Sequence, residues 1–168
     1  KATIKSVISQ TYTNWEMILI NDGSTDLTPN IIDQFTEMDS RIRQISLKTS
    51  SGGPAAPRNI GIGNTNGKYI ALLDADDSWE PNKLESQISI FKELKDIFVV
   101  CSYTTVVDKT GSVKGLVCPN RGLFSWVFEL LGRNRILFQN YITMSSVIVR
   151  REIFEGLKFE EWKPIAGV

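Results

Sequence analysis

The chain of 168 residues contains no histidine. This absence excludes Ser-His-Asp and Cys-His nucleophilic catalysis, because both need an imidazole as the general base. It also excludes every metal site that depends on imidazole ligands. Any chemistry performed by these residues must therefore use carboxylates, lysine, arginine, hydroxyl groups or a metal held by oxygen atoms.

Cysteine, long apolar runs and net charge are also scarce. The two cysteines, Cys101 and Cys118, are too few and too far apart for a zinc ribbon or a CxxC redox motif. No apolar run reaches the length of about 18 residues that a bilayer span needs, and Lys plus Arg equals Asp plus Glu at 19 each. We therefore predict a soluble chain in a reducing cytoplasm, with no long-range attraction to nucleic acid.

Apolar periodicity alternates between helix and strand along the first two thirds of the chain. Helical spacing from Ile4 to Tyr12 precedes a short β-branched run, and Thr28 with Pro29 predicts the start of the next helix. The predicted strands cover residues 17–20, 42–47, 68–73 and 97–107. This order predicts an α/β fold with a mostly parallel sheet flanked by helices in three α/β/α layers.

After Asp108 the pattern changes to an α+β arrangement. We predict a turn at 109–111, a strand over 113–117, a helix over 124–131 and a strand over 142–149. No repeat or linker marks a boundary, so residues 1–168 are predicted to form a single domain.

Two acidic loops follow predicted strands, at 21–24 and at 74–77. In an open parallel sheet, ligands bind beyond the carboxyl ends of the strands, so both loops are expected to line one crevice. If 74–77 is extended, Asp74 and Asp76 point the same way and suit Mg²⁺ or Mn²⁺, which prefer oxygen ligands. The plainer interpretation is a solvated turn and a helix cap.

Arg58 follows a glycine- and proline-rich loop at the start of a predicted helix, where its guanidinium is placed to meet phosphate oxygens. A surface helix arginine is the alternative. Residues 61–67 do not form a dinucleotide-binding motif, because their spacing is one residue too long and they precede a strand instead of following one.

Four segments resemble glycosyltransferase family 2, of GT-A fold. They are SVISQTYTNWE at 6–16, NDGSTD at 21–26, GGPAAPRNIG at 52–61 and GKYIALLDADD at 67–77. The resemblance extends to about residue 152, with SSVIVRR at 145–151 similar to a later strand of the family. It implies an inverting enzyme that transfers a sugar from a nucleoside diphosphate donor, usually UDP-linked, to a hydroxyl group of a growing glycan.

The resemblance also implies residue roles at the donor site. Asp22 matches the aspartate that recognises the base, and Asp74 matches the one near the ribose. Asp76 matches the metal ligand of the DxD motif, with Mn²⁺ or Mg²⁺ as cofactor, and Arg58 matches a position beside the donor diphosphate. Asn21 replaces a more frequent aspartate.

The resemblance further implies parts of the family pattern that these residues do not include. An opening strand is expected before Lys1 and the general base is expected beyond Val168, so no catalytic residue is identified and these 168 residues alone are expected to be nearly inactive. Only Glu160 and Glu161 lie near the expected position of the base. Residues 1–107 would form the donor-binding half and 108–168 the start of the acceptor-side half.

The expected setting is bacterial surface polysaccharide synthesis, of lipopolysaccharide or capsule, with a glycan or lipid-linked glycan as acceptor. Association with the inner face of the membrane is a hypothesis that no residue here supports. Two alternatives stay open: a phosphohydrolase with Asp74 as nucleophile, because DADDS at 74–78 resembles the opening motif of haloacid-dehalogenase-like enzymes, and a relative that binds nucleotide or glycan without turnover.

Overall fold

The computed structural model describes residues 1–117 and 143–161. Its helices are α1 (Ala2–Ile8), α2 (Thr28–Met38), α3 (Ala55–Gly63) and α4 (Lys83–Glu93). Its strands are β1 (Met17–Asn21), β2 (Ile42–Ser46), β3 (Tyr69–Ala71), β4 (Val99–Cys101), β5 (Thr104–Val107), β6 (Val113–Val117) and β7 (Val147–Arg150). Short 3₁₀ helices cover Met144–Ser146 and Arg151–Glu155. The alternation of helices and strands confirms the predicted α/β class.

Strands β1 and β2 form a parallel pair, as the sequence predicts, with Met17 opposite Ile42. Helix α2 connects them and begins at Thr28, where the sequence predicts a helix start. The reason is local, since the carboxylate of Asp26 accepts the Thr28 N–H at 2.9 Å. Pro29 then occupies the first turn, where the missing N–H has no helical partner in any case.

Helices cover both faces of β1. On one face, Met17 and Leu19 pack beside a core of Ile4, Phe35 and Ile42, contributed by α1, α2 and β2. On the other face α3 approaches closely, because a Cβ atom added at Gly61 would lie 3.6 Å from Cγ1 of Ile20. Successive residues of a strand face opposite sides of a sheet, so the predicted α/β/α layering is present here.

The second sheet corrects the prediction of mostly parallel pairing. Its strand order is β3-β7-β4, and β7 pairs antiparallel with both neighbours. Strands β3 and β4 therefore run in the same direction, as a β3-α4-β4 crossover requires, but β7 lies between them. The sequence pattern of β7 shows that it is apolar, and apolarity does not encode strand direction.

Helix α4 and this sheet enclose the second core. Its buried residues are Leu84, Ile88, Phe91, Val100 and Ile148. Tyr69 of β3 stacks on Phe91 with ring centroids 4.7 Å apart. The core thus joins α4 to all three strands and supports the loop that follows β3.

The predicted long strand over 97–107 is wrong, because the chain breaks into β4 and β5 at Ser102 and Tyr103. Ser102 donates its N–H to the carbonyl of Ser146, which ends the ladder with β7. Strand β5 then forms an antiparallel hairpin with β6. The predicted helix over 124–131 lies outside the described residues, and the predicted strand over 142–149 is a 3₁₀ turn followed by β7.

Across residues 1–117 and 143–161, no helix is both long enough and apolar enough to traverse a lipid bilayer.

Candidate functional site

The two acidic loops follow the carboxyl ends of β1 and β3. Asn21 is the last residue of β1, and Asp22 comes directly after it, whereas Asp74 follows the last residue of β3 by three positions. Asn21 is buried, and its side-chain oxygen accepts the N–H of Ser24 at 3.0 Å. This bond closes the first loop on itself, so the position of Asp22 is set by a buried strand end.

Asp22 makes its contacts with the loop that precedes α3. Its carboxylate accepts the Ser51 N–H at 2.8 Å and the hydroxyl groups of Ser50 and Ser51 at 3.0 Å each. Partial burial raises the pKa of Asp22, but these hydrogen bonds outweigh it, so the pKa lies below its usual value of 3.8. Asp22 is therefore held as an ionised, acceptor-only group.

Gly23 allows the two loops to approach each other. Its φ is +71°, and a Cβ atom added there would lie 2.6 Å from the backbone nitrogen of Ser50. Only glycine fits a position that combines a left-handed backbone with such a close neighbour. The contact between Asp22 and Ser51 thus depends on the glycine that follows Asp22.

Arg58 and Asp74 form an ion pair at the second loop. Arg58 lies in the first turn of α3, where its N–H donates to the carbonyl of Pro54. Its guanidinium donates to the Asp74 carboxylate at 2.7 Å, with side chains 20% and 42% exposed. Segment 50–58 therefore contacts Asp22 through its serines and Asp74 through Arg58, and it links the two acidic loops.

The segment 74–77 is a turn, which corrects the expectation of an extended chain. The Asp77 N–H donates to the carbonyl of Asp74 at 3.2 Å and closes the turn over Ala75 and Asp76. The argument that spacing by two aligns Asp74 with Asp76 does not apply to a turn. Asp74 instead pairs with Arg58, and Asp76 is exposed.

Three residues that the sequence analysis did not select hold this turn in place. The Ser145 hydroxyl accepts the Asp74 N–H at 3.0 Å, and the Thr3 hydroxyl donates to the carbonyl of Ala75 at 2.7 Å. The indole N–H of Trp79 donates to the carbonyl of Ser145 at 2.7 Å. Ser145 belongs to the 145–151 segment that resembles the family, and that was its only signal in the sequence.

The turn leaves one exposed carboxylate, that of Asp76, available to a hard divalent cation. Within the described part of the chain, Asp76 makes no hydrogen bond or ion pair, and no group of three acidic, cysteine or histidine side chains is placed to hold a metal ion. Mg²⁺ commonly binds one or two carboxylates and completes its coordination with substrate phosphates and water. An exposed, unpaired carboxylate beside the Arg58–Asp74 pair is consistent with that type of site.

Comparison with known proteins identifies the family to which this chain is similar. Residues 1–157 match the model of glycosyl transferase family 2. An uncharacterized glycosyltransferase of Haemophilus influenzae is 35% identical over 160 residues, which cover 93% of this chain and 49% of that protein. The putative teichuronic acid biosynthesis glycosyltransferase TuaG of Bacillus subtilis is 38% identical over 102 residues, which cover 61% of this chain and 40% of TuaG.

A third relative is the Escherichia coli UDP-Glc:alpha-D-GlcNAc-diphosphoundecaprenol beta-1,3-glucosyltransferase WfgD. It is 36% identical over 131 residues, which cover 78% of this chain and 50% of WfgD. This chain spans 17%, 40% and 49% of three of the curated relatives that it matches, less than two thirds of each.

Solved structures support the fold. TarS of S. aureus, crystallised in complex with UDP, matches with a TM-score of 0.62 and 21% identity over 92% of this chain and 43% of the TarS chain. A second crystal structure of TarS gives a TM-score of 0.65 at 22% identity and covers 95% of this chain and 28% of the TarS chain. The fold, the two loops and the match over residues 1–157 together show that the chain belongs to glycosyl transferase family 2.

Proposed function

We propose that this chain forms the nucleotide-sugar site of an inverting glycosyltransferase, which moves a sugar from a UDP-linked donor to a hydroxyl group of a growing glycan. The observation that carries the proposal is that one segment, from Ser50 to Arg58, contacts both acidic loops. A nucleotide sugar contains a base, a ribose and an anionic diphosphate. The segment connects the carboxylates of Asp22 and Asp74 with the guanidinium of Arg58, and these groups suit the three parts of the donor.

The ionised state of Asp22 favours one class of base. A carboxylate without a proton can only accept hydrogen bonds, and two oxygens offer about four acceptor positions. Ser50 and Ser51 use three of them. A base with a ring N–H, such as uracil, can donate from that ring position to the remaining acceptor. Cytosine has no proton on the corresponding ring nitrogen, so it would have to shift in the site and donate from its exocyclic amine.

Arg58 and Asp74 are proposed to bind the ribose and the diphosphate. One nitrogen of Arg58 donates to Asp74, and a guanidinium carries further donors in a fixed planar fork that suits phosphate oxygens. The ion pair with Asp74 holds the Arg58 guanidinium in place before the donor binds. We assign Asp74, which follows the end of β3, to the ribose.

Asp76 is proposed to hold Mg²⁺ or Mn²⁺ together with phosphate oxygens of the donor. A bound divalent ion would stabilise the negative charge on the departing diphosphate. The residues of this chain contribute the exposed carboxylate at 76 and the fixed turn that presents it.

The acceptor and the setting are proposed from the relatives. TuaG is named for teichuronic acid biosynthesis, and the name of WfgD describes a diphosphoundecaprenol-linked acceptor. We propose a bacterial surface polysaccharide as product, a glycan or lipid-linked glycan as acceptor, and action at the inner face of the membrane.

The geometry argues against a phosphohydrolase with Asp74 as nucleophile. The Asp74 carboxylate accepts from Arg58 at 2.7 Å, which reduces its availability for attack on phosphorus. Strand β3 also neighbours an antiparallel strand and follows two earlier strands along the chain. Metal-dependent hydrolysis of p-nitrophenyl phosphate that disappears in Asp74→Asn would revive this alternative.

The test is thermal stabilisation by UDP and by CDP, each with and without Mn²⁺. A ligand at a hundred times its Kd stabilises a protein by about 2.7 kcal/mol, which should raise the Tm by roughly 5 to 10 °C for a chain of this size. We expect this shift for UDP with Mn²⁺ and a much smaller shift for CDP. Asp76→Ala should remove the Mn²⁺ dependence, and Asp33→Ala, an equal charge change on α2, should not.

The possible results separate the parts of the proposal. No shift with UDP under any condition would contradict the nucleotide site. Equal shifts with UDP and CDP would contradict the role of Asp22. An Mn²⁺ dependence that survives in Asp76→Ala would contradict the metal assignment alone.

A further inference from the structure

A chain segment from the far end of the described sequence returns to α3 beside the candidate site. Residues 157–161 follow the second 3₁₀ helix and have no regular secondary structure. The side chain of Asn59, at the middle of α3, accepts the Phe159 N–H at 2.9 Å and donates to the Phe159 carbonyl at 2.9 Å. Asn59 and Phe159, which are 100 positions apart, are thus joined by two hydrogen bonds of opposite direction.

The Asn59 amide uses its oxygen and both of its N–H groups in this contact. Its second N–H donates to Oε1 of Glu161 at 3.1 Å. An asparagine amide offers one oxygen acceptor and two N–H donors. Aspartate has the same shape and could accept from Phe159, but it could donate to neither oxygen. The contact therefore requires asparagine among side chains of this size.

The backbone contact places the Phe159 ring against the ion pair of the candidate site. The guanidinium carbon of Arg58 lies 5.6 Å from the centre of the Phe159 ring, within the range of a cation–π contact. The ring of Phe154 supports Phe159 at a centroid distance of 6.2 Å. Arg58 is thus held by Asp74 at 2.7 Å and by an aromatic ring whose own position depends on Asn59.

We propose that Asn59 is a positioning residue for the donor site: it fixes segment 157–161 on α3 so that Phe159 orients the Arg58 guanidinium toward the donor diphosphate. This inference rests on the proposed function, because it takes the diphosphate as the ligand of Arg58. Loss of Asn59 should weaken the binding of the diphosphate part of the donor and leave the binding of the base and ribose unchanged.

The test compares Asn59→Ala with Asn64→Ala in the full chain. Asn64 is a matched control, because it directly follows α3 and its side-chain amide donates to the carbonyl of Ile60 and not to segment 157–161. The first readout is hydrogen exchange of peptides covering 157–161, measured without nucleotide. The second is the affinity for UDP compared with that for uridine, which lacks the phosphates.

For Asn59→Ala we expect exchange in 157–161 to become at least about tenfold faster, because the Phe159 N–H loses its acceptor. We expect the affinity for UDP to fall about fivefold, the size of effect that a cation–π contact supports, and the affinity for uridine to stay within about twofold. Asn64→Ala should match the wild type in both readouts. Phe159→Leu keeps the backbone contact with Asn59. It should weaken UDP binding without faster hydrogen exchange at the backbone N–H of position 159.

Several results would overturn the inference. Unchanged exchange in Asn59→Ala would remove the contact on which it rests. Faster exchange with unchanged UDP affinity, or equal losses for UDP and uridine, would leave Asn59 a purely structural residue. If Asn59→Ala does not fold, Asn59→Asp tests the loss of the two hydrogen bonds that Asn59 donates, and Phe159→Leu tests the effect of the ring on UDP affinity. Failure of the wild type to bind UDP would contradict the proposed function instead, and the exchange comparison would still decide the role of Asn59 in holding the segment.

Discussion

At the scale of single residues, the candidate site joins charged and polar groups to partners that lie far away in the sequence. Asp22, Arg58, Asp74 and Asp76 could be selected because acidic loops at strand ends and an arginine after a Gly-Pro loop are local patterns. Ser51 carried no comparable signal, and the signal of Asn59 was only its place in segment 52–61, which resembles the family. Their roles arise from contacts with residues 29 and 100 positions away.

Asp22 supports a prediction about pH. Its hydrogen bonds hold the folded pKa below 3.8, so any stability that they contribute is present above that value and is lost only as pH falls through the folded pKa. The carboxylate should therefore stay ionised at pH 5. We expect the affinity for UDP-glucose, whose diphosphate diester has no proton to gain in this range, to be constant from pH 8 to pH 5.

Asp22→Asn should lower this affinity by about tenfold or more, because an amide in place of the carboxylate removes the charged acceptor. Calorimetric titration across the pH range checks both expectations. Asp26→Asn is the control, since Asp26 lies in the same loop but binds the N–H of Thr28 at the start of α2. A fall in wild-type affinity between pH 7 and pH 5 would contradict the ionised state of Asp22.

At the scale of secondary structure, the order and type of most elements were predictable, and the deviations have local causes. Helix α3 begins at Ala55, before the predicted start at Arg58, because Pro54 and Pro57 are both compatible with the first turn of a helix. The predicted extended segment 74–77 is a turn, because hydrogen bonds from Ser145 and Thr3 are available only after folding.

Helix α4 contains a buried cation that the sequence analysis did not select. Lys83 is 8% exposed, its Nζ donates to Oε1 of Gln87 at 2.6 Å, and it lies 4.3 Å from the centre of the Trp79 ring. No carboxylate pairs with it within the described residues. Burial lowers the pKa of Lys83 from 10.5 to about 7.

This burial predicts how stability changes with pH. Between pH 7 and 10.5 the unfolded state holds one proton more than the folded state at this residue, so the free energy of unfolding should rise as pH rises. The slope from this one group is at most about 1.4 kcal/mol per pH unit. In Lys83→Met we expect this rise to disappear.

Urea unfolding between pH 7.5 and 9.5 measures the slope. Lys92→Met, an exposed position on the same helix, should keep the slope of the wild type. Parallel curves for the wild type and Lys83→Met would show that Lys83 has an ordinary pKa in the folded protein.

At the scale of the whole molecule, stability is unevenly distributed. Two buried cores join α1 and α2 to the β1-β2 pair and α4 to the β3-β7-β4 sheet. Within the described residues the β5-β6 hairpin contributes to neither core, and its Val107, Val113 and Leu116 are exposed. The candidate site lies on the loops that follow the buried strands β1 and β3, which explains how exposed side chains can have defined positions.

Ile148→Ala and Val113→Ala test this distribution. Ile148 is 1% exposed in the central strand of its sheet, so we expect its truncation to lower the free energy of unfolding by about 2 to 5 kcal/mol. Val113 is 68% exposed, and its truncation should change stability by about 0.5 kcal/mol or less. Native-state hydrogen exchange should show β5 and β6 opening before β3, β4 and β7. Equal protection of the hairpin and the central sheet would contradict this order.

The sequence alone determined the α/β class, the order of most elements, the two acidic loops and the resemblance to the family. These properties depend on apolar spacing and loop residues within short windows, which a linear chain displays directly. Only the tertiary structure decided that β7 lies antiparallel between β3 and β4, that 74–77 is a turn, and that Asn59 holds Phe159 against Arg58. Each of these features joins residues far apart in the chain, or depends on such a contact, and distant pairings are set by packing of the whole domain.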